Sequence, residues 1–309
     1  VVDEVQVAFR LDQDLLPELG RHLDAHRRCT PVTPVTPVAP MRVLVTGAAG
    51  SIGQVLTVGL VDRGHDVVGL DRVPQPEGGV LSWHVADCAD PDAVLAVLDE
   101  ESVDAVVHLA GHPGEASLPD SLTSHVVTTA ALLDACVAHD VSRFVYAGSN
   151  HAVGRTPRAE APTVGVDVRP RPDTFYGVGK VAAEAVMSLY ADRYGIDVLS
   201  CRIGSFLPLP ETVRNLATWL SHDDCVRMVE ACLTTPAPGY AVLYGISANT
   251  RGWWDLEPGR ALGYEPLDDA EEFAADIVAR AEDEAEGAVV GGPFAGEAFY
   301  RPALDRSTT

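Results

Sequence analysis

The 309-residue sequence predicts an α/β fold: a doubly wound parallel sheet with helices on both faces and a small C-terminal lobe. Three observations carry that prediction. Short β-branched apolar runs alternate with helical stretches from residue 41 onward, a glycine-rich turn follows the first run, and the second run ends in an acid. In order, residues 42–46 read as a buried strand, 51–63 as a helix and 66–70 as a second strand. Residues 80–86, 104–110 and 142–147 repeat the strand signal, with helices over 92–99 and 121–139 between them. A long helix over 174–194 leads to a sixth strand at 197–203. Past Gly204 the rhythm loosens into Pro-rich loops and acidic helices, so residues 41–204 read as a nucleotide-binding domain and 205–309 as a smaller substrate lobe and tail.

The first 40 residues differ from the rest. Residues 1–29 are polar, with one short helix expected over 14–26. Residues 30–40 then repeat Pro at every third position, which enforces extended backbone. This segment reads as a disordered or loosely attached extension ahead of Met41, with a docking segment as the alternative. The six cysteines show no C-x-x-C pair and no zinc-type spacing, so free buried thiols in a reducing cytoplasm are expected, with no metal site. No run approaches the ~20 apolar residues of a membrane span. The 45 acidic against 22 basic residues, a formal charge of −23, argue against a nucleic-acid or anionic-membrane partner. Of those 22 basic residues 21 are Arg, and the one Lys is Lys180.

The turn after the first strand carries Gly47, Gly50, Ser51, Ile52 and Gly53, with G-x-x-G-x-x-G spacing. Glycines there let a pyrophosphate approach the N–H groups opening the next helix. Asp71 closes the second strand and can accept both adenosine ribose hydroxyls while repelling a 2′-phosphate, which favours NAD over NADP; Arg72 beside it argues the other way. Asp87, after the third strand, suits either the adenine edge or a simple turn.

Tyr176 and Lys180 lie four apart on the long helix, hence on one face. An ammonium there is expected to pull the phenol's pKa down toward working pH and to reach ribose hydroxyls. Ser149, at the C-terminal end of the fifth strand, is placed to bind a substrate oxygen.

Together these residues resemble the extended branch of the short-chain dehydrogenase/reductases, over residues 41 to about 280. The resemblance implies a Rossmann-type domain holding NAD, with Tyr176 as general base, Lys180 as its partner and Ser149 orienting the substrate. Ser149-Asn150-His151, Arg202-Ile-Gly-Ser205, Arg214, the stretch 218–224 and Ser247-Ala-Asn-Thr-Arg-Gly-Trp-Trp-Asp255 narrow it to the uronate dehydrogenases. Those enzymes oxidise C1 of a hexuronate to the aldarolactone. The resemblance assigns the substrate carboxylate to Arg214, and Asn150, His151 and Ser205 to the sugar or to backbone groups at the strand ends. His222-Asp-Asp224 reads as a helix-opening cap, and Trp253 and Trp254 as packing. A nucleotide-sugar epimerase or dehydratase using the same Tyr/Lys pair is the alternative, and a homodimer or larger oligomer is implied by analogy. Departures from the family pattern are glycine at 148 and 179, where serine is common, Pro113 in place of a small polar residue, and His125 in place of Asn.

Overall fold

A computed structural model of the chain describes residues 39–299, apart from Gly78 and Val80. The extension up to residue 38, with its expected helix over 14–26 and Cys29, lies outside the described residues, as do residue 80 of the third strand and residues 300–309 of the tail.

Seven parallel strands form the sheet: β1 (Arg42–Thr46), β2 (Asp66–Asp71), β3 (Ser82–Val85), β4 (Ala105–His108), β5 (Arg143–Ser149), β6 (Asp197–Ile203) and, after two short strands β7 (Ser205–Phe206) and β8 (Trp219–Leu220), β9 (Tyr240–Gly245). Their order is β3-β2-β1-β4-β5-β6-β9, so the chain reverses direction across the sheet at β1, with β2 on one side and β4 on the other. The crevice at that reversal, above the strands' C-terminal ends, is where such sheets hold ligands.

Period-two alternation along the strands sorts the core into two layers. Val43 and Val45 of β1 face one side, with Leu56 and Leu60 of α1 (Ser51–Asp62) and Met228 and Val229 of the helix His222–Thr234. Leu44 faces the other, with Val94 of α2 (Pro91–Glu100), Leu132 of α3 (Leu118–Ala138) and Ala183 and Met187 of α4 (Phe175–Tyr194). Each fully buried Leu or Val here contributes roughly 1.5–3 kcal/mol. Helix α3 is by length and composition apolar enough to cross a membrane, against the expectation from the sequence, but half of its apolar stretch is buried inside the fold against α2 and α4.

The segment past Gly204 contributes a strand to the main sheet. After the one-turn α5 (Asn215–Thr218), helix α6 (His222–Thr234) packs on α1 and β9 pairs with β6 from Val198↔Tyr240 to Ile203↔Gly245, completing the main sheet. The acids that obscured this strand-bearing stretch in the sequence are largely helix-end groups. Ser221 caps α6 by accepting from the Asp224 N–H, and buried Asp224 accepts from the Leu267 and Asp268 N–H groups.

Candidate active site

At the crevice Gly47 sits at φ +69, where a side chain would strain the turn, and a Cβ on it would stand 2.7 Å from the Ala110 nitrogen. A Cβ on Gly53 would lie 2.3 Å from the Gly47 carbonyl. The N-cap of α1, Gly50, supplies no side-chain acceptor, so the first N–H groups of the helix, at Ser51, Ile52 and Gly53, are left for an anion. Asp71 stands at the end of β2, where Oδ2 accepts from the Ala49 N–H at 3.0 Å and Oδ1 from the Val73 N–H at 3.3 Å. That ties the acid to the glycine turn and leaves lone pairs for a ribose, while Arg72 next to it is exposed. Asp87 accepts from the Ala89 N–H at 2.9 Å and so caps its own turn. The cradle is closed to side chains, rich in free N–H groups and bordered by an acid, which fits NAD.

Thr174 opens α4 as its N-cap, accepting from the Gly177 N–H, and the Glu115 carboxylate accepts from the Phe175 and Tyr176 N–H groups at 3.2 and 3.1 Å. Two turns in, Glu184 holds Arg202 of β6 by a two-pronged ion pair at 3.0 and 2.8 Å, with both side chains buried. The helix is thus pinned at its start and its middle, which fixes Tyr176 and Lys180 against the ends of β5 and β6. Lys180 Nζ donates to the Ala147 carbonyl at 2.7 Å and lies 4.7 Å from the Tyr146 ring centre and 5.4 Å from that of Tyr176.

The electrostatics correct one expectation. Burial pushes the Tyr176 phenol up to about 12, with the Asp173 carboxylate adding to the rise and the Ser149 hydroxyl opposing it. Burial likewise pulls Lys180 down to about 7, against the pull of Glu184. Loss of solvating water outweighs one ammonium that is itself desolvated and turned to a carbonyl. The pair at i and i+4 is present as read, but the protein alone does not make a low-pKa tyrosine.

Ser149 ends β5, and its Oγ accepts from the His151 N–H at 3.1 Å. Asn150 is buried with Nδ2 unpartnered. His151 Nδ1 pairs with Asp173 Oδ2 at 2.8 Å, and its ring lies 6.0 Å from that of Tyr176 and 4.3 Å from Phe294. Ser205 Oγ meets Thr218 Oγ1 at 2.8 Å, and Arg214 Nη1 reaches both hydroxyls at 3.4 Å. Arg214 Nη2 donates to the Val290 carbonyl at 2.9 Å, while its Nε is buried without a partner. Among the described residues no carboxylate forms an ion pair with Arg214, and burial lowers its pKa to about 10 despite the fields of Asp173 and Glu286. A guanidinium in that state keeps a buried donor, Nε, unused.

Three of the four departures resolve into packing. His125 sits in a π-turn (Thr123–Val127) within α3, and its ring fills the space that glycine leaves at 111 and 179; a Cβ at either would come within 2.9 Å of it. Its ring meets Tyr176 edge-on at 5.1 Å. A Cβ on Gly148 would stand 2.5 Å from Ser200 Oγ. Pro113 is exposed in the loop after β4.

Sequence reading missed Asp173, Glu115, Val290 and Phe294, which join the site from loops and from the far end of the chain. Only Asp173, directly before a helix cap, carried any local signal. Groups of His, Cys, Asp and Glu able to hold a metal are absent among the described residues.

The chain matches the NAD dependent epimerase/dehydratase family over residues 43–238. It is 37% identical over 261 residues to a uronate dehydrogenase of Pseudomonas putida, covering 82% of this chain and 95% of that protein. It is also 37% identical over 253 residues to an NAD-dependent glucose-6-phosphate dehydrogenase of Haloferax volcanii, covering 75% of this chain and 95% of that one. The crystal structure of uronate dehydrogenase from Agrobacterium tumefaciens superposes with a TM-score of 0.78 at 36% identity, covering 85% of this chain and all of that one, and a variant of that enzyme was solved with NAD. With its cradle, its Tyr/Lys helix and these relatives, the chain belongs to the NAD-dependent epimerase/dehydratase family of extended short-chain dehydrogenases, in the company of the uronate dehydrogenases.

Proposed function

We infer that the protein is an NAD-dependent dehydrogenase that oxidises C1 of a hexuronate, galacturonate or glucuronate, to the aldarolactone. C1 of the pyranose form is a hemiacetal carbon already bonded to the ring oxygen, so loss of one proton and one hydride leaves a lactone directly. Bound NAD supplies the hydride acceptor. Tyr176 takes the C1 hydroxyl proton, Ser149 holds that oxygen, and Lys180, one turn along the helix, reaches the ribose. Arg214 clamps the carboxylate from the loop after β6, with Ser205, Asn150 and His151 lining the sugar. The cradle residues Gly47, Gly50, Ser51, Ile52 and Gly53 hold the pyrophosphate, Asp71 the ribose and Asp87 the adenine side.

One observation carries the substrate class: the buried Arg214 guanidinium with a free Nε and no carboxylate partner among the described residues. It also weighs against the phosphosugar reading that the Haloferax volcanii relative invites. Asp173 and Glu286 both place negative potential at Arg214, which a carboxylate monoanion tolerates better than a phosphate dianion. We further infer a cytoplasmic protein, from five described cysteines that are all free, and a homodimer or larger, from exposed Val127, Leu189 and Tyr194 on α3 and α4. NADH absorbance should rise with NAD and galacturonate or glucuronate and stay flat with UDP-sugars. Turnover confined to glucose 6-phosphate or a UDP-sugar overturns the assignment.

A further inference from the structure

We propose that Asp173 is a positioning residue that sets the tautomer of His151, so that His151 Nε2 accepts a hydrogen bond from a hydroxyl of the bound sugar acid. The proposal rests on the sugar-acid reading above for the identity of the donor.

Asp173 is held where few carboxylates are. Its side chain is 0% exposed, against 13% for His151. A Cβ on Gly154 would lie 1.9 Å from its Oδ2 and a Cβ on Gly291 1.8 Å, so the carboxylate occupies a slot that only two glycines leave open. Backbone pairing builds that slot. The Arg155 N–H donates to the Arg171 carbonyl and the Arg171 N–H to the Ala152 carbonyl, while the Gly291 N–H donates to the Gly154 carbonyl. The acid therefore joins the turn after β5, the start of α4 and the segment that brings Val290 to Arg214.

Its hydrogen bonds have a direction. Thr174 Oγ1 accepts from the Gly177 N–H and donates to Asp173 Oδ1 at 3.1 Å, leaving Oδ2 for His151 Nδ1. A carboxylate oxygen accepts here, so Nδ1 carries the proton and Nε2 is left to present the lone pair. Among the described residues Nε2 has no protein partner, and the ring lies beside Tyr176 and against Phe294. A ring so oriented accepts from a sugar hydroxyl and rejects a deoxy or oxo group at the same position.

Asp173→Asn reverses the logic at nearly constant shape. The amide oxygen keeps the Thr174 hydroxyl, the amide N–H₂ takes the Oδ2 position, and Nδ1 must become the acceptor, which moves the proton to Nε2. In protein labelled with 15N-histidine, with the His151 signals assigned by their loss in His151→Gln, wild type should show the Nδ1–H tautomer and Asp173→Asn the Nε2–H tautomer. This readout needs no substrate, so it stands even if uronate turnover fails. Wild type in the Nε2–H form overturns the proposal, and so does an unchanged tautomer in the variant. In turnover, Asp173→Asn should lower kcat/KM by roughly 10- to 100-fold while leaving NADH affinity unchanged. In a His151→Gln background the same substitution should cost less than threefold. Equal losses in both backgrounds would assign Asp173 a role independent of His151 and refute the proposal.

Discussion

Gly179 offers a sharp test of how the catalytic helix is seated. Replacing it with Ala adds one methyl group inside α4, between Tyr176 and Lys180. Helix propensity alone favours that change by about 1 kcal/mol. The structure opposes it: the new Cβ would stand 2.9 Å from His125 Cδ2 and 3.0 Å from the Ser121 carbonyl oxygen. The Ser121 carbonyl is backbone and cannot turn aside as a side chain could. Overpacking of this kind costs about 1–3 kcal/mol, so the clash exceeds the propensity gain and α3 and α4 must part. The net is a loss of up to about 2 kcal/mol, a fall in Tm of up to roughly 8 °C in a domain of this size. Because Tyr176 and Lys180 ride on the displaced turn, kcat should drop by about tenfold or more with NADH affinity kept. Shrinking the ring in His125→Asn/Gly179→Ala removes the Cδ2 contact and should recover at least half of both losses. Differential scanning fluorimetry and initial rates measure both quantities. A single variant with wild-type Tm and kcat, or a double variant no better than the single, would show that the ring and the glycine are not the coupled pair described here.

Further outcomes follow from the same geometry. Arg214→Ala should reduce kcat/KM for galacturonate by ~30-fold or more, since it strips a desolvated charge pair, while the Kd for NADH stays within twofold; equal losses would dissolve the clamp. Tyr176→Phe should lower kcat by ~10²–10⁴-fold at unchanged NADH binding, as expected for loss of a general base, and a smaller effect would point to another base. Lys180→Arg should lose most activity too, because the buried Nζ that meets the Ala147 carbonyl at 2.7 Å leaves no room for a planar fork; near-normal turnover would make the Lys a compositional survivor. Stability should track the Lys180 proton. Its pKa falls from about 10.5 unfolded to about 7 folded, so the unfolded chain binds the extra proton between those values and stability rises with pH across that window. Lys180→Met should therefore be more stable than wild type near pH 7 and below, with the gap closing toward pH 10.5 in urea melts; a gap independent of pH counts against a desolvated ammonium.

Much of the nucleotide half was legible before any coordinates. Strands β1 and β6 lie where the apolar runs put them, Asp71 is tied to the glycine turn through the Ala49 N–H, and Tyr176 and Lys180 share one helix. What was illegible was β9, half exposed at its start and set between acidic stretches, whose place in the sheet is decided by pairing with β6 across some forty residues of intervening chain. Also hidden was the reason for His125, which makes sense only against Gly111 and Gly179.

The sequence by itself determined the local geometry, because a strand's period of two, a helix's i to i+4 face and a glycine's freedom at a turn are properties of neighbouring residues. It determined the cofactor in the same way, through one turn and one acid. The tertiary structure alone decided which distant groups complete the site: Asp173 against His151, Val290 on Arg214, Phe294 over the imidazole. It also reversed the tyrosine. A Tyr and a Lys one turn apart suggest a lowered phenol pKa, yet both are pushed toward neutrality, since burial acts through all the atoms that replace water and no sequence neighbour reveals how many those are.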